Sequence, residues 1–335
     1  MNTLGCVFLC ASLATACTSQ KDRTGNDTGA NPDTGTPPAS SDAGVWHDPC
    51  PRDDFEQRMI NVGEVALNVA CRGSGETTVV FLHGFPEFYY SWNAVMDALV
   101  DDYRVIAPDQ RGYNRSDKPE DVADYELPLL TADIVNLLPL VSETPVILVA
   151  HDWGGPVGWS VAHTEGAHIA GFMAANGPHP MRFAELIATD PEQQAASAYM
   201  DLFRADGAEA IMTPDYIATN FFDFLNEDEL SVYMDAWSQP GAITGGLNWY
   251  RANTPLIPEV IAESMASLLP EIPVPVSVFW GLDDTAVLSQ NAEGLEPYAP
   301  DLVVETFEGV DHWIEHRIPE EVARGVHELA VRAGR

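Results

Sequence analysis

The sequence predicts an α/β fold, a mostly parallel sheet flanked by helices and interrupted by an all-helical insertion. Three observations predict it. Short apolar runs of strand length alternate with stretches of helical periodicity, the pattern of parallel βαβ units. One such run, Val146 to Ala150, ends in His151-Asp-Trp-Gly-Gly155, with small residues two positions either side of Asp152. That pattern describes a sharp strand-to-helix turn at the carboxyl edge of the sheet. The alternation then breaks over residues 180–270, which are helical, aromatic and acidic without a clear strand, before resuming.

In chain order, residues 55–62 and 65–71 read as a hairpin turning at Gly63-Glu64. Residues 77–84 form a buried strand ending in a Gly turn, followed by strands at 103–109 and 146–150. Helical patterns lie between them at 91–100 and 129–138, the latter bracketed by Pro128 and Pro139. Residues 169–176 supply another strand. Beyond the insertion come strands at 274–281 and 302–307 and a final helix over 319–332. The expected core therefore comprises residues 46–179 and 271–335, with residues 180–270 as a helical lid.

The chain of 335 residues suits one large domain or two modest ones, and 46% hydrophobic residues exclude global disorder. Acidic side chains number 51 against 16 basic, a formal net charge of −35. That excess argues against nucleic acid or an anionic membrane surface as partner, since both need clustered Lys and Arg. Residues 4–13 are apolar but too few to span a bilayer as a helix. Ala14-Thr-Ala16 suits cleavage of a signal peptide, residues 1–16. The segment also resembles a bacterial lipoprotein signal, in which Cys17 becomes the lipidated first residue. Both readings imply export, either as an envelope lipoprotein or as a secreted protein, with membrane contact only through that anchor. Residues 17–45, rich in Ser, Thr, Gly, Asp and Pro, read as a disordered tether. Of five cysteines, Cys6 and Cys10 leave with the signal and Cys17 is taken if lipidated. Cys50 and Cys71 remain as a pair in an oxidising compartment, where a disulfide between them is expected.

A carboxylate at the Asp152 corner suits two roles, a helix cap or a nucleophile that attacks carbon directly and forms an ester. Further motifs stand at or just after expected strand ends: His83-Gly-Phe-Pro-Glu87, Asp109-Gln-Arg-Gly-Tyr-Asn-Arg-Ser116, Trp280-Gly-Leu-Asp-Asp284 and Asp311-His-Trp313. With His151-Asp-Trp-Gly-Gly155 they make five in order, and over residues 55–331 the chain resembles an α/β-hydrolase of the epoxide hydrolase and haloalkane dehalogenase group.

The resemblance implies an α/β-hydrolase fold with a lid and assigns roles. Asp152 is the nucleophile. His312, following the last strand, is the base that activates water to hydrolyse the ester, in the chain order nucleophile, acid, histidine. Asp283 and Asp284 compete to orient it, and the family's Gly-x-x-Asp spacing selects Asp284. The backbone N–H groups of Phe85 and Trp153 form the oxyanion hole, with Pro86 setting the loop. Of nine histidines, His151 points away from an exposed Asp152 and His83 is a structural hydrogen bonder. Opening an epoxide generates an alkoxide that needs an acid, and epoxide hydrolases use two lid tyrosines. Gly246-Leu-Asn-Trp-Tyr-Arg251 matches the second, Tyr250, and Ala198-Tyr-Met-Asp-Leu-Phe203 the first, Tyr199.

Haloalkane dehalogenases commonly carry Asn where Phe85 stands, and fluoroacetate dehalogenases carry Arg where Trp153 stands, so the resemblance favours an epoxide. Asn114 departs from the family's usual Gly, and Arg317 from a frequent acidic residue. The implied activity is hydrolysis of a small-molecule epoxide to a vicinal diol. The alternatives are a haloalkane or haloacid dehalogenase using the same Asp152, and a non-catalytic ligand-binding module. No metal or organic cofactor is implied, because no Cys/His cluster has ligand spacing and no Gly-rich phosphate loop occurs.

Overall fold

The computed structural model describes residues 44–253 and 269–335. The expected signal peptide, Cys17 and almost all of the expected tether lie outside the described residues, as do residues 254–268 of the expected lid.

Eight strands form one sheet: β1 (Glu56–Asn61), β2 (Ala66–Arg72), β3 (Thr78–Leu82), β4 (Arg104–Pro108), β5 (Val146–His151), β6 (Ile169–Ala175), β7 (Val276–Gly281) and β8 (Leu302–Phe307). Their spatial order is β1-β2-β4-β3-β5-β6-β7-β8. The hairpin β1–β2 is antiparallel and joins β4 antiparallel, and every later pairing is parallel. The central strands are continuous apolar runs buried on both faces, as crossover helices require. On β6, Gly171 lies against Leu329 of the last helix while Phe172 packs on Trp159 of the helix after β5, so neighbouring residues serve opposite faces.

The core helices are α1 (Asn93–Leu99), α2 (Leu127–Val141), α3 (Gly154–Thr164), α10 (Ile314–Arg317) and α11 (Pro319–Arg332). Helix α2 is longer than the expected 129–138 and runs through both prolines that bracketed it. Pro128 sits in the first turn, where no N–H is needed, and Pro139 falls in the last turn, where little of the ladder remains to be broken. Cys50 and Cys71 form a disulfide between the N-terminal stretch and β2, closing 21 residues. No helix among the described residues is long and apolar enough to cross a membrane.

Between β6 and β7 the described residues hold only helices: α4 (Pro180–Thr189), α5 (Pro191–Ala196), α6 (Tyr199–Arg204), α7 (Pro214–Phe221), α8 (Glu227–Trp237) and α9 (Ala242–Asn253), besides a 3-10 turn. His179, Asp190, Thr213 and Asn226 each accept a backbone N–H at a helix start, which explains why the insertion breaks into short pieces. Two indoles fasten it to the core: Trp237 Nε1 donates to Pro86 O at 2.6 Å and Trp249 Nε1 to Arg111 O at 2.9 Å. Gly245 lets α9 settle on the loop after β4, since a Cβ there would stand 2.3 Å from Gly112 O.

Candidate active site

Strand order decides which loops meet. At their carboxyl ends β3 and β5 run side by side, with Leu82 opposite Ala150, and β6 and β7 follow on the other side of β5. The loops that carry His83–Pro86, Asp152, Asn176 and Asp284 therefore converge.

Asp152 follows β5 with a positive φ of 46°, and α3 begins two residues later. The turn is tight: a Cβ on Gly154 would stand 2.5 Å from Leu82 O. Burial of a carboxyl group favours its neutral form, but Asp152 is held below the ordinary carboxylate value. The His312 imidazole is the main counterweight, helped by His151 and by the Phe85 amide. Phe85 N donates to Asp152 Oδ1 at 2.7 Å, and the Phe85–Pro86 bond that follows it is cis. Trp153, whose amide was the other expected oxyanion donor, is the residue before α3 and makes no side-chain cap there.

His312 Nε2 lies 3.6 Å from Asp152 Oδ2, while its Nδ1 bonds Asp284 Oδ2 at 2.8 Å. Asp284 is fully engaged, accepting from Asn176 Nδ2 at 2.7 Å and from the amides of Ala286 and Val287 at 2.8 and 2.9 Å. Asp283 is exposed. Burial alone would push His312 down; the Asp284 and Asp152 carboxylates outweigh it and raise the imidazole to about 10. His83 lies aside. Its Nε2 accepts from Gln110 N at 3.0 Å and its Nδ1 donates to Gly84 O at 2.9 Å, and burial holds it neutral, near 4.

Asp152, His312, Tyr199 and Tyr250 line one cavity of about 460 Å³, with Phe85 and Trp313 in its wall. A second cavity of about 490 Å³, mostly apolar in its lining, shares Asp152 and Tyr199. Tyr250 is buried on α9, its ring 5.1 Å from Trp153 and 6.3 Å from Tyr199 on α6. Burial is the main cause that pushes both phenols up, followed by the Asp152 charge for Tyr199 and by Tyr199 and then Asp152 for Tyr250, so each remains a protonated donor at neutral pH. The arrangement offers a carboxylate nucleophile, a base oriented by a second carboxylate, and two phenols facing the same space.

Residues 77–315 match the family model described as alpha/beta hydrolase fold. The chain belongs to the α/β-hydrolase fold family.

Within that family it is 36% identical over 279 residues to the AB hydrolase superfamily protein YfhM of Bacillus subtilis, covering 80% of this chain and 95% of that protein. It is 30% identical to Epoxide hydrolase 4 of Mus musculus, over 76% of this chain and 73% of the relative. Among solved structures, the epoxide hydrolase of Bacillus megaterium in complex with an inhibitor superposes with a TM-score of 0.73 at 28% identity, covering 82% of this chain and all of that one.

The two departures from the family pattern have local explanations. Asn114 adopts the left-handed conformation that Gly favours, with φ 39°, and its Nδ2 donates to Asp109 Oδ2 at 3.0 Å. Arg317 closes a fork on Asp311, the residue before His312. Sequence reasoning missed Asn176. It leaves β6 with φ 44°, and its Oδ1 accepts from Gly281 N at 2.8 Å while Nδ2 holds Asp284. An Asn at a strand's carboxyl end is the signal that marks it.

Also missed was a buried cluster behind Asp152. Glu87, Glu315 and His316 bring atoms within 4.8 Å of one another, and His151 joins them. Glu87 Oε1 is taken by His316 Nε2 at 2.7 Å and by the Tyr233 hydroxyl at 3.2 Å, while His151 Nδ1 lies 3.0 Å from Glu315 Oε1.

Proposed function

We propose that this chain is an epoxide hydrolase working through an aspartyl ester. Asp152 Oδ attacks an epoxide carbon and the C–O bond breaks. The departing oxygen takes a proton from Tyr250 or Tyr199. His312, oriented by Asp284, passes its resting proton to the tyrosinate and, now neutral, removes a proton from water as it adds to the ester carbonyl, with the oxyanion facing the Phe85 and Trp153 amides. Collapse returns the Asp152 carboxylate and releases a vicinal diol, with His312 again protonated as at rest. The transient loss of the Asp152 charge matters. Once it is esterified, one of the two carboxylates that hold His312 protonated is gone, and the imidazole becomes a base.

The observation that carries this reading is the meeting of two protonated phenols with the Asp152–His312 pair in one cavity. An alkoxide leaves only with such acid help, whereas a halide leaves without taking up a proton. The epoxide hydrolase names of the relatives point the same way. The test is turnover of a panel of aryl and alkyl epoxides, with halide release from haloalkanes and haloacids measured beside it. Tyr250→Phe and Tyr199→Phe should each lower epoxide turnover by about 10²-fold or more. Halide release unaffected by either change, with no epoxide opened, would replace this reading with a dehalogenase. Tight ligand binding without turnover, indifferent to Asp152→Ala, would replace it with a binding module.

A further inference from the structure

A pair of buried histidines that the mechanism above does not use sits where the helical insertion leaves and rejoins the sheet. His179 caps the start of α4, and Pro270 precedes β7 at the far end of the insertion. Between them stands His163, in the last turn of α3. Its Nδ1 lies 2.7 Å from Pro270 O and its Nε2 lies 2.9 Å from His179 Nε2. His179 Nδ1 accepts from Met181 N at 3.2 Å. The proton positions follow from these partners. A carbonyl only accepts, so His163 Nδ1 carries a proton. An amide N–H only donates, so His179 Nδ1 carries none. The neutral His179 ring then holds its proton on Nε2 and donates it to the bare Nε2 of His163. Two neutral rings satisfy every contact. A third proton does not fit, because each way of placing it sets two N–H groups face to face, either between the rings or against Met181.

We propose that His163 and His179 form a pH-sensitive clasp, which ties both ends of the helical insertion to α3 while the rings are neutral and lets go when either takes up a proton. Both are buried, at 4% and 1% exposure. The titratable group packed on them is Tyr298, from the loop between β7 and β8, its ring stacked on His179 at 4.0 Å and edge-on to His163 at 6.0 Å. Arg182 and Glu185 of α4, paired at 2.9 Å, act on that phenol. Trp159 of α3 meets His179 edge-on and carries no charge. Among the described residues no carboxylate acts on either ring, so an added proton finds no counter-charge while the clasp is closed. Burial accordingly holds both rings below the ordinary imidazole value, with His163 adding to the effect on His179. Since the folded values lie below the unfolded 6.5, the clasp stabilises fully above about 6.5 and weakens as pH falls below it. His163 also lines the 490 Å³ cavity that Asp152 borders, so release of the clasp loosens one wall of that cavity.

The test needs no turnover and is independent of the proposed reaction. In protein with ¹⁵N-labelled histidine near neutral pH, His163 should show the Nδ1–H tautomer and His179 the Nε2–H tautomer. Hydrogen exchange of the α4 amides, corrected for the intrinsic pH dependence of exchange, then reads opening. Protection in α4 should fall about tenfold or more between about pH 6.5 and 5, while β5 keeps its own, because each proton taken up by the open form favours it by up to about tenfold per pH unit. In the paired variant His163→Gln with His179→Asn neither side chain titrates and Asn still caps α4, so α4 protection should stay level over the same range. Level protection in the unaltered chain, an equal loss in the paired variant, or a His163 ring protonated on Nε2 near neutral pH overturns the proposal. If the paired variant does not fold, the ring ¹⁵N shifts of the unaltered chain decide alone, and any other tautomer pair overturns it.

Discussion

In the proposed reaction His312 carries two opposite demands, and its surroundings reconcile them in time. At rest it is held between Asp284 and Asp152 and raised to about 10. In the proposed ester intermediate it must be neutral. Replacing it with Gln should leave alkylation possible and block hydrolysis, so that turnover falls on the order of 10⁴-fold while an ester accumulates. Mass spectrometry of acid-quenched protein should find Asp152 heavier by one substrate. The resting pairing has a consequence for stability. Its folded value lies above the unfolded 6.5, so the stabilisation is complete below about 6.5 and is lost as pH rises through about 10. Melting temperatures measured across that window should fall more steeply for the unaltered chain than for His312→Gln. The strand-end positions of Asp152 and His312 were legible in the sequence as motif-marked turns, whereas the choice of Asp284 over Asp283 came from the family's spacing. The roles of Tyr199 and Tyr250 came from resemblance alone. Glu87 and His316 stand 229 residues apart and share no local pattern, so their pairing became visible only in three dimensions.

At the level of elements, α9 delivers Tyr250, and its seating depends on contact with the core rather than on helix propensity. Gly245 rests on the Gly112 backbone and Trp249 bonds Arg111 O. Gly245→Val should push α9 outward and cost about 1–3 kcal/mol. Thermal unfolding would read the loss of stability, and kcat would fall with it because Tyr250 retreats from Asp152. Most strand bounds were legible to within two residues, since parallel strands here are unbroken apolar runs between turn signals. The extent of α2 was not, because proline reads as a boundary although the first and last turns tolerate it. The four-residue α10 was also missed; nothing in a single turn of sequence distinguishes it from a loop.

Across the whole molecule, the disulfide ties the N-terminal stretch to the sheet. Arg104 adds a second tie by donating to Trp46 O at 2.7 Å. Replacing Cys50 and Cys71 with Ala should cost about 3 kcal/mol for a loop of this length. Denaturant titration would show an earlier midpoint with activity of the folded fraction retained, since neither cysteine touches the cavities. The net charge of −35 sits on a core of ordinary apolar content, which suits a soluble folded domain and a small-molecule ligand rather than a polyanion.

The central claim is a covalent ester on Asp152, and single-turnover opening of an epoxide in ¹⁸O-labelled water tests it most directly. The expected product is unlabelled diol, because its new oxygen comes from the Asp152 carboxylate, with the solvent label left in Asp152. Labelled diol from the first turnover would mean that water attacked the epoxide directly, and the ester would have no place in the reaction.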